Sequence, residues 1–357
     1  MKIGIIKGKT NDFVAEQFKK AAKSHGAECV FINPQGTMTV LSRYHNKHKI
    51  LANGLLLEKN QIDLCIPRIT NIKEYKHILY QLTDVHGIFC PVNSAGLEIA
   101  TDKMRTLQRL AMAKIPVPKT ILINSLKEIL PALEAIGFPC ILKSVNGSKG
   151  VGVCKVDTFE SAQSTIQALL KYTSPLLVEE FISAAGKDIR AIVVGDRVVA
   201  SMERSAPEGE FRANLSQGGK GKAITLSSEL EELCIKAARA LPLQIAGVDI
   251  IMNKSREPFV IELNGNPGFG IQKITGKDIA NEIVSYSIKQ YELTRNRLSD
   301  TYSSDLFKDE YLRRTFERVK GNKIAFDDRD GIRREIIINS PIDFSHVITS
   351  SFKLNIK

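Results

Sequence analysis

Two apolar runs separated by a polar turn, Ala246-Gly-Val-Asp-Ile-Ile-Met-Asn-Lys-Ser-Arg-Glu-Pro-Phe-Val-Ile-Glu-Leu-Asn264, restrict this chain more than any other segment. The pattern predicts a β-hairpin. With its turn centred between Ser255 and Arg256, Asp249 faces Glu262, and period-two alternation puts Asn264 on the same face. Two carboxylates opposed on one sheet face repel unless something neutralises them. Hard oxygen donors with no His or Cys beside them suit Mg²⁺, finished by water or phosphate oxygens. An ordinary exposed sheet face with its charges in water is the other reading these residues allow.

Around this hairpin the chain changes character along its length. Lys2–Lys7, Glu28–Asn33 and Ile62–Pro67 read as strands, with a helix from an Asn11 cap to about His25 and another near Lys73–His86. Gly87–Val92 reads as a further short strand. Such alternation implies a parallel sheet with helices on both faces. Asn93-Ser94 and Thr101-Asp102 read as helix starts. After Pro116 and Pro118 the pattern becomes strand-loop-strand-helix-strand: Cys140–Lys143, Val151–Val156 and Leu176–Ile182, with capping boxes at Ser125–Glu128 and Asp157–Glu160. Strands follow near Asp188–Val194 and Val198–Glu203, then a helix from a Ser228–Glu231 box. Another helix begins near Lys277. In the last stretch, Asp305–Lys320 reads as a charged helix and Arg334–Asn339 and His346–Ile356 as strands.

Composition excludes several classes. No stretch approaches 18 uncharged apolar residues, so no membrane span is expected, and no secretory signal is expected at the N-terminus. The six cysteines form no C-x-x-C pair, and the six histidines show no zinc spacing, which fits a reduced, cytoplasmic protein. The net charge of +11 is spread along the chain and Trp is absent, so a nucleic-acid stacking platform is not indicated. There is no G-x-S-x-G elbow and no H-E-x-x-H.

Three more segments carry polar chemistry. Val145-Asn-Gly-Ser-Lys-Gly-Val-Gly152 leaves backbone N–H groups free to approach an anion, with Lys143 within reach; it is neither a Walker A loop nor a dinucleotide fingerprint. Leu177-Val-Glu-Glu-Phe-Ile182 is an apolar strand with two acids, followed by Asp188-Ile-Arg190. Glu203-Arg204 and Phe211-Arg212-Ala-Asn214 put arginines on a segment suited to phosphate clamping, although taken alone these residues read better as a solvated loop.

In order, Lys103, Lys143 with its glycine loop, Glu179-Glu180-Phe181, Asp188-Ile-Arg190, Phe211-Arg212-Ala-Asn214, Asp249 and Glu262-x-Asn264-x-x-Pro-Gly resemble the ATP-grasp fold, and within it the RimK family of glutamate ligases. Pro67-Arg68-Ile69, Val194–Ala200, Gly209–Asn214, Ala246–Ile250 and Thr275–Ala280 also read like that family, so the likeness covers about residues 1–290. It implies a mixed α/β and α+β protein. The expected parts are an N-terminal parallel-sheet domain at 1–93, an ATP-grasp domain at 94–290 (lid about 120–182, core about 183–290) and a C-terminal extension at 291–357.

The implied activity is ATP- and Mg²⁺-dependent amide or peptide bond formation through an acyl phosphate. Glutamate would be added to a carboxylate acceptor, either a protein C-terminus or a small molecule. By resemblance, Lys103, Lys143, Ser148 and Gly150 meet the ATP phosphates. Glu180 and Phe181 form the adenine hinge, Asp188 lies at the nucleotide, and Arg212 and Asn214 hold the phosphate end. Asp249, Glu262 and Asn264 hold two Mg²⁺ ions (Mn²⁺ also suits), and Arg190 and Arg204 stabilise the acyl phosphate. Lys143 and Arg212 are expected at exposed site edges. Asn146 departs from the acid that often begins the family's glycine loop, and residues 291–357 exceed the family core. Their strands need a docking surface, so docking within the chain or a homo-oligomer is expected, with recognition of the acceptor as the alternative. The competing reading is a nucleotide-binding ATP-grasp module with a regulatory or assembly role and no ligase activity.

Overall fold

A computed structural model describes residues 1–41, 49–52, 55–57, 61–69, 72–92, 94–145, 152–172, 175–303, 323–327 and 333–337. The first unit contains β1 (Lys2–Ile6), α1 (Phe13–Ser24), β2 (Glu28–Ile32), β3 (Thr37–Val40), β4 (Lys49–Ala52), β5 (Leu55–Leu57) and β6 (Leu64–Pro67). β1 lies between β2 and β6 and runs parallel to both, with Ile3, Ile5 and Ile6 fully buried. The residue that caps α1 is Asp12 rather than Asn11, because its carboxylate accepts the Ala15 N–H at 2.9 Å. β3, β4 and β5 form a separate antiparallel sheet that the alternation pattern does not announce. α2 (Ile72–Tyr80) passes into a π-turn over Gln81–Val85. The expected strand at Gly87–Val92 reduces to two isolated bridges, Leu64 with Phe89 and Val92 with Leu243. α3 (Ser94–Thr101) and α4 (Lys103–Met112) lead into the second unit, Asp102 capping α4 through the Arg105 N–H.

The second unit is an antiparallel sheet of β7 (Thr120–Ile123), β8 (Cys140–Ser144), β9 (Val153–Val156) and β10 (Leu176–Glu180), in the order β7-β10-β8-β9. α5 (Ile129–Ile136) and α6 (Phe159–Leu170) cover one face and close a small core of their own around Leu133, Leu142, Ile166 and Val178. α6 starts one residue later than the sequence pattern implies: Thr158 and Ser161 make the reciprocal capping bonds. At α5, Glu128 takes the Asn124 N–H and the Ser125 hydroxyl, and a 3₁₀ turn precedes the helix.

The third unit is a five-stranded antiparallel sheet. β11 (Lys187–Val194), β12 (Arg197–Ser205), β13 (Lys220–Ala223), β14 (Ile245–Met252) and β15 (Pro258–Asn264) stand in the order β13-β12-β11-β14-β15. α7 (Ser228–Ala240), capped by Ser227 rather than Ser228, packs beneath it. α8 (Gly270–Thr275), which the sequence pattern does not predict, follows β15. α9 (Ile279–Ser303) crosses position 290 without a break and runs against α1. One core joins the first and third units, from Ile5 and Phe18 to Val193, Leu263 and Ile283, whereas the second unit has a separate core. The second unit therefore has the independence a lid needs.

Beyond α9, β16 (Lys323–Asp327) pairs antiparallel with β17 (Arg333–Ile337). The strand expected at Arg334–Asn339 is present as β17, and its upstream partner β16 is one that the sequence pattern does not predict. The strand expected at His346–Ile356 and the expected helix at 305–320 lie outside the described residues.

The β14–β15 hairpin carries the expected Asp249–Glu262 pairing by an unexpected route. Near the turn the register is Met252 with Pro258 and Ile250 with Val260, one residue tighter than a turn between Ser255 and Arg256 gives. Arg256 closes that turn at φ 64°, its N–H bonding the Asn253 carbonyl. A bulge between Asp249 and Ile250 then restores the register, so Asp249 faces Glu262 and Gly247 faces Asn264.

Candidate active site

The third unit's sheet carries a polar row across four strands. β11 pairs Asp188 with Arg204 on β12 and Arg190 with Asp249 on β14, and β14 pairs Asp249 with Glu262. Alternation puts all of them, with Asn264, on one face. The charges close into a network. Arg204 gives Nε to one Asp188 oxygen at 2.6 Å and Nη2 to the other at 2.8 Å, and Nη2 also lies 3.1 Å from Asp249. Arg190 is bidentate on Asp249, through Nε and through Nη2 at 2.6 Å. Gly247 makes room for this, since a Cβ there would come within 3.0 Å of Arg190 Nη1. Burial pushes the Asp188 carboxyl up to about 6, against the pull of Arg204. Burial also pushes Asp249 up, but Arg190 and Arg204 outweigh it and hold this carboxyl below its ordinary value.

The sheet of the second unit contributes a second buried pair. Lys143 Nζ is 2.6 Å from Glu179, and both side chains are over 90 % buried. Lys143 is therefore not at an exposed edge as the sequence suggests. Thr120 donates its hydroxyl to the same Glu179 carboxylate at 3.1 Å. Lys103, first residue of α4, has its pKa drawn down by burial, while Glu262 opposes that and Lys143 reinforces it.

Between the two sheets is a cleft of about 1070 Å³, open solvent included, whose wall brings together Lys103, Lys143, Glu180, Phe181, Asp188, Arg212, Asn214, Asp249 and Glu262. Nine of the expected site residues thus share one space. Phe181 meets Phe211 edge-on at 6.5 Å, and Ile141, Ile251 and Ile261 add apolar wall, which suits a flat heteroaromatic base. The Glu180 carboxylate accepts the Lys119 N–H at 2.7 Å and so is tied to the backbone just before β7. Arg212 rests on Glu210, with Nη2 to Oε2 at 2.6 Å, and this contact, with two backbone N–H bonds, holds Glu210 down at about 2.

The cleft wall does not include Arg190, Arg204 or Asn264. Arg204 is spent on Asp188 and Asp249, and the Asn264 Oδ1 accepts the Asn266 N–H at 3.0 Å. Ser148 and Gly150 lie outside the described residues. Sequence reasoning missed Glu179 as the partner of Lys143 and Glu210 as the partner of Arg212. A signal existed for the first: in the apolar run Leu177–Ile182 an acid on the face of Leu177 needs a cation to be buried there.

Residues 100–287 match the model of the RimK-like ATP-grasp domain. A probable alpha-L-glutamate ligase of Coxiella burnetii is 36 % identical over 290 residues, covering 80 % of this chain and 95 % of that one. The chain belongs to the RimK-like ATP-grasp family. Solved ATP-grasp ligases share the fold. PsnB complexed with minimal precursor, Mg and ADP is 18 % identical at a TM-score of 0.63, over 81 % of this chain and 98 % of that one. The VanG D-Ala:D-Ser ligase of Enterococcus faecalis is 18 % identical at 0.64, over 81 % and 99 %.

As an ATP-grasp ligase the protein uses ATP and Mg²⁺. Its residues fit that ion: the donors are two carboxylates and an amide oxygen on one sheet face, all hard oxygen ligands, with lysine charge beside them. Among the described residues no three His, Cys, Asp or Glu side chains cluster as a metal cage. No helix among the described residues is long and apolar enough to cross a membrane.

Proposed function

We propose that this ligase forms an amide bond between an amino acid, glutamate, and a carboxylate acceptor through an acyl phosphate. The observation that carries the reading is the meeting of Lys103, Lys143 and Arg212 with Asp249 and Glu262 in one cleft between a separately folded lid and a rigid sheet. Phosphoryl transfer to a carboxylate needs charge neutralisation and alignment and no enzyme nucleophile. Here the lysines and Arg212 would hold the phosphates, and Asp249, Glu262 and Asn264 would hold Mg²⁺, which would neutralise charge on the phosphates; Mn²⁺ would serve the same donors. The acceptor oxygen takes the γ-phosphoryl group and ADP leaves. The amine then attacks the acyl carbon, phosphate departs, and the amine's proton is lost to solvent. Positive charge over the whole chain suits an acidic acceptor.

Phosphate release from ATP, measured over the amino acids with and without candidate acceptors (peptide C-termini and small carboxylic acids), tests the reading. Release that requires both substrates is expected; release indifferent to any amino acid would sink it. Glu262→Gln, measured beside wild type at saturating Mg²⁺, is expected to lower the rate by about 10²-fold or more while the fold persists.

A further inference from the structure

Arg68 ends β6 at the carboxyl edge of the parallel sheet, where open α/β sheets place ligands. Its backbone N–H continues the ladder to the Ile6 carbonyl, and the residue is only 9 % exposed. The guanidinium stacks 4.7 Å from the Phe269 ring centre and 5.8 Å from that of Phe18, and Nη2 donates to the Pro267 carbonyl at 2.8 Å. Among the described residues no carboxylate pairs with it. The acid it senses is Asp12, which is itself engaged with Lys7 at 2.6 Å. Burial without a partner draws the Arg68 pKa down to about 10, so the group stays charged at neutral pH. Its Nε is buried and has no hydrogen-bond partner among the described residues.

Across the same junction stands Asn266, two residues after Asn264. Its Nδ2 donates to the Ile69 carbonyl at 2.8 Å, which fixes the orientation of the amide, and its buried Oδ1 has no partner. Two buried polar atoms, one donor on a cation and one acceptor, are thus left unsatisfied between the sheet edge and the loop that follows the metal-ligand strand. Each such atom carries an uncompensated desolvation cost, larger when the group is charged. Beside them Gly268 faces open space, with nothing within 4 Å of a Cβ built there.

Resting on the ligase reading, we propose that Arg68 and Asn266 form the subsite for the head group of the incoming α-amino acid: Arg68 Nε receives the α-carboxylate and Asn266 Oδ1 receives the amino group. A donor on a cation beside a lone acceptor matches a zwitterion and does not match the acceptor substrate, whose terminal carboxylate has no amine beside it.

The test is calorimetric titration of the full chain, with Mg²⁺ and a non-hydrolysable ATP analogue, using L-glutamate and then the other nineteen L-amino acids. Against the amino acid that binds are set its analogue lacking the α-carboxylate (γ-aminobutyrate for glutamate) and its analogue lacking the amine (glutarate). Each analogue is expected to bind about 10- to 100-fold more weakly, as loss of one charge-assisted hydrogen bond implies. Arg68→Lys and Asn266→Ala are expected to weaken the amino acid similarly, with affinity for the ATP analogue unchanged. The analogues act on the unaltered chain, so the answer does not depend on whether a variant folds. Analogues that bind as well as the amino acid, variants that lose nucleotide and amino acid in parallel, or no binding by any of the twenty would each overturn the subsite. The ligase reading fails differently: head-group binding would persist with no amino-acid-dependent phosphate release.

Discussion

Arg204 and Arg68 are both buried arginines, at 4 % and 9 % exposure, and their surroundings are opposite. Arg204 lies among carboxylates that β11 and β14 supply, and Asp249 and Asp188 raise its pKa well above the ordinary value against burial. Arg68 has two aromatic rings and one carbonyl, and burial lowers it. A buried cation that the chain itself neutralises belongs to the scaffold and presets the field of the site. A buried cation left without an anion is a binding group whose partner arrives from outside.

The sharpest way to break this comparison is to remove each charge in the ligand-free protein. Arg204→Ala leaves Asp188 and Asp249 buried with half their neutralising charge gone, and a loss of about 3–5 kcal/mol is expected in urea unfolding. Arg68→Met keeps volume and removes an unpaired charge, so about 1 kcal/mol or less is expected, close to the single hydrogen bond to Pro267. Equal losses would erase the distinction.

The lid pair extends it. Lys143→Ala takes from the buried Glu179 the cation it pairs with at 2.6 Å, so about 1–3 kcal/mol of stability should go along with the catalytic rate. A catalytic defect with an unchanged melting temperature would mean that Glu179 finds another partner.

A pH series sharpens the Arg204 side. Asp188 titrates near 6 in the folded protein and 3.8 is its ordinary value, so the folded state holds more protons between those limits. Stability from this group is therefore fully present below about pH 3.8 and declines as pH rises toward 6, by up to about 1.4 kcal/mol per unit. Comparison with Asp188→Asn, which lacks the slope, isolates it; parallel curves for the two proteins would refute the shift.

The smallest effect expected is at Arg212. Glu210→Gln releases its grip on the guanidinium, and a few-fold tighter nucleotide affinity is expected, greatest at low ionic strength. Weaker binding would instead show that Glu210 holds Arg212 in its working pose.

Much of the site was legible because its signals are local. The Asp249–Glu262 face follows from alternation over 19 residues, and even there two offsets cancelled: the turn is one residue tighter, and a bulge returns it. Caps at α1, α6 and α7 each sit one residue from the expected position, since several adjacent side chains at each start can accept the same N–H groups. The order of motifs from Lys103 to Asn264 identified the family, and the cleft gathers nine of those residues.

What the sequence determined by itself is the local part: which runs are strands, which face of the hairpin is acidic, and in what order the charged motifs come. Only the tertiary structure decided who neutralises whom. Arg190 meets Asp249 across 59 residues, Arg204 turns to Asp188 rather than standing free in the cleft, and Arg68 is carried to Pro267 across 199. Periodicity reports which side of a strand a residue occupies, and strand order is settled by long-range packing. A charge therefore reveals its residue type in the sequence, and its partner only once the sheets are assembled.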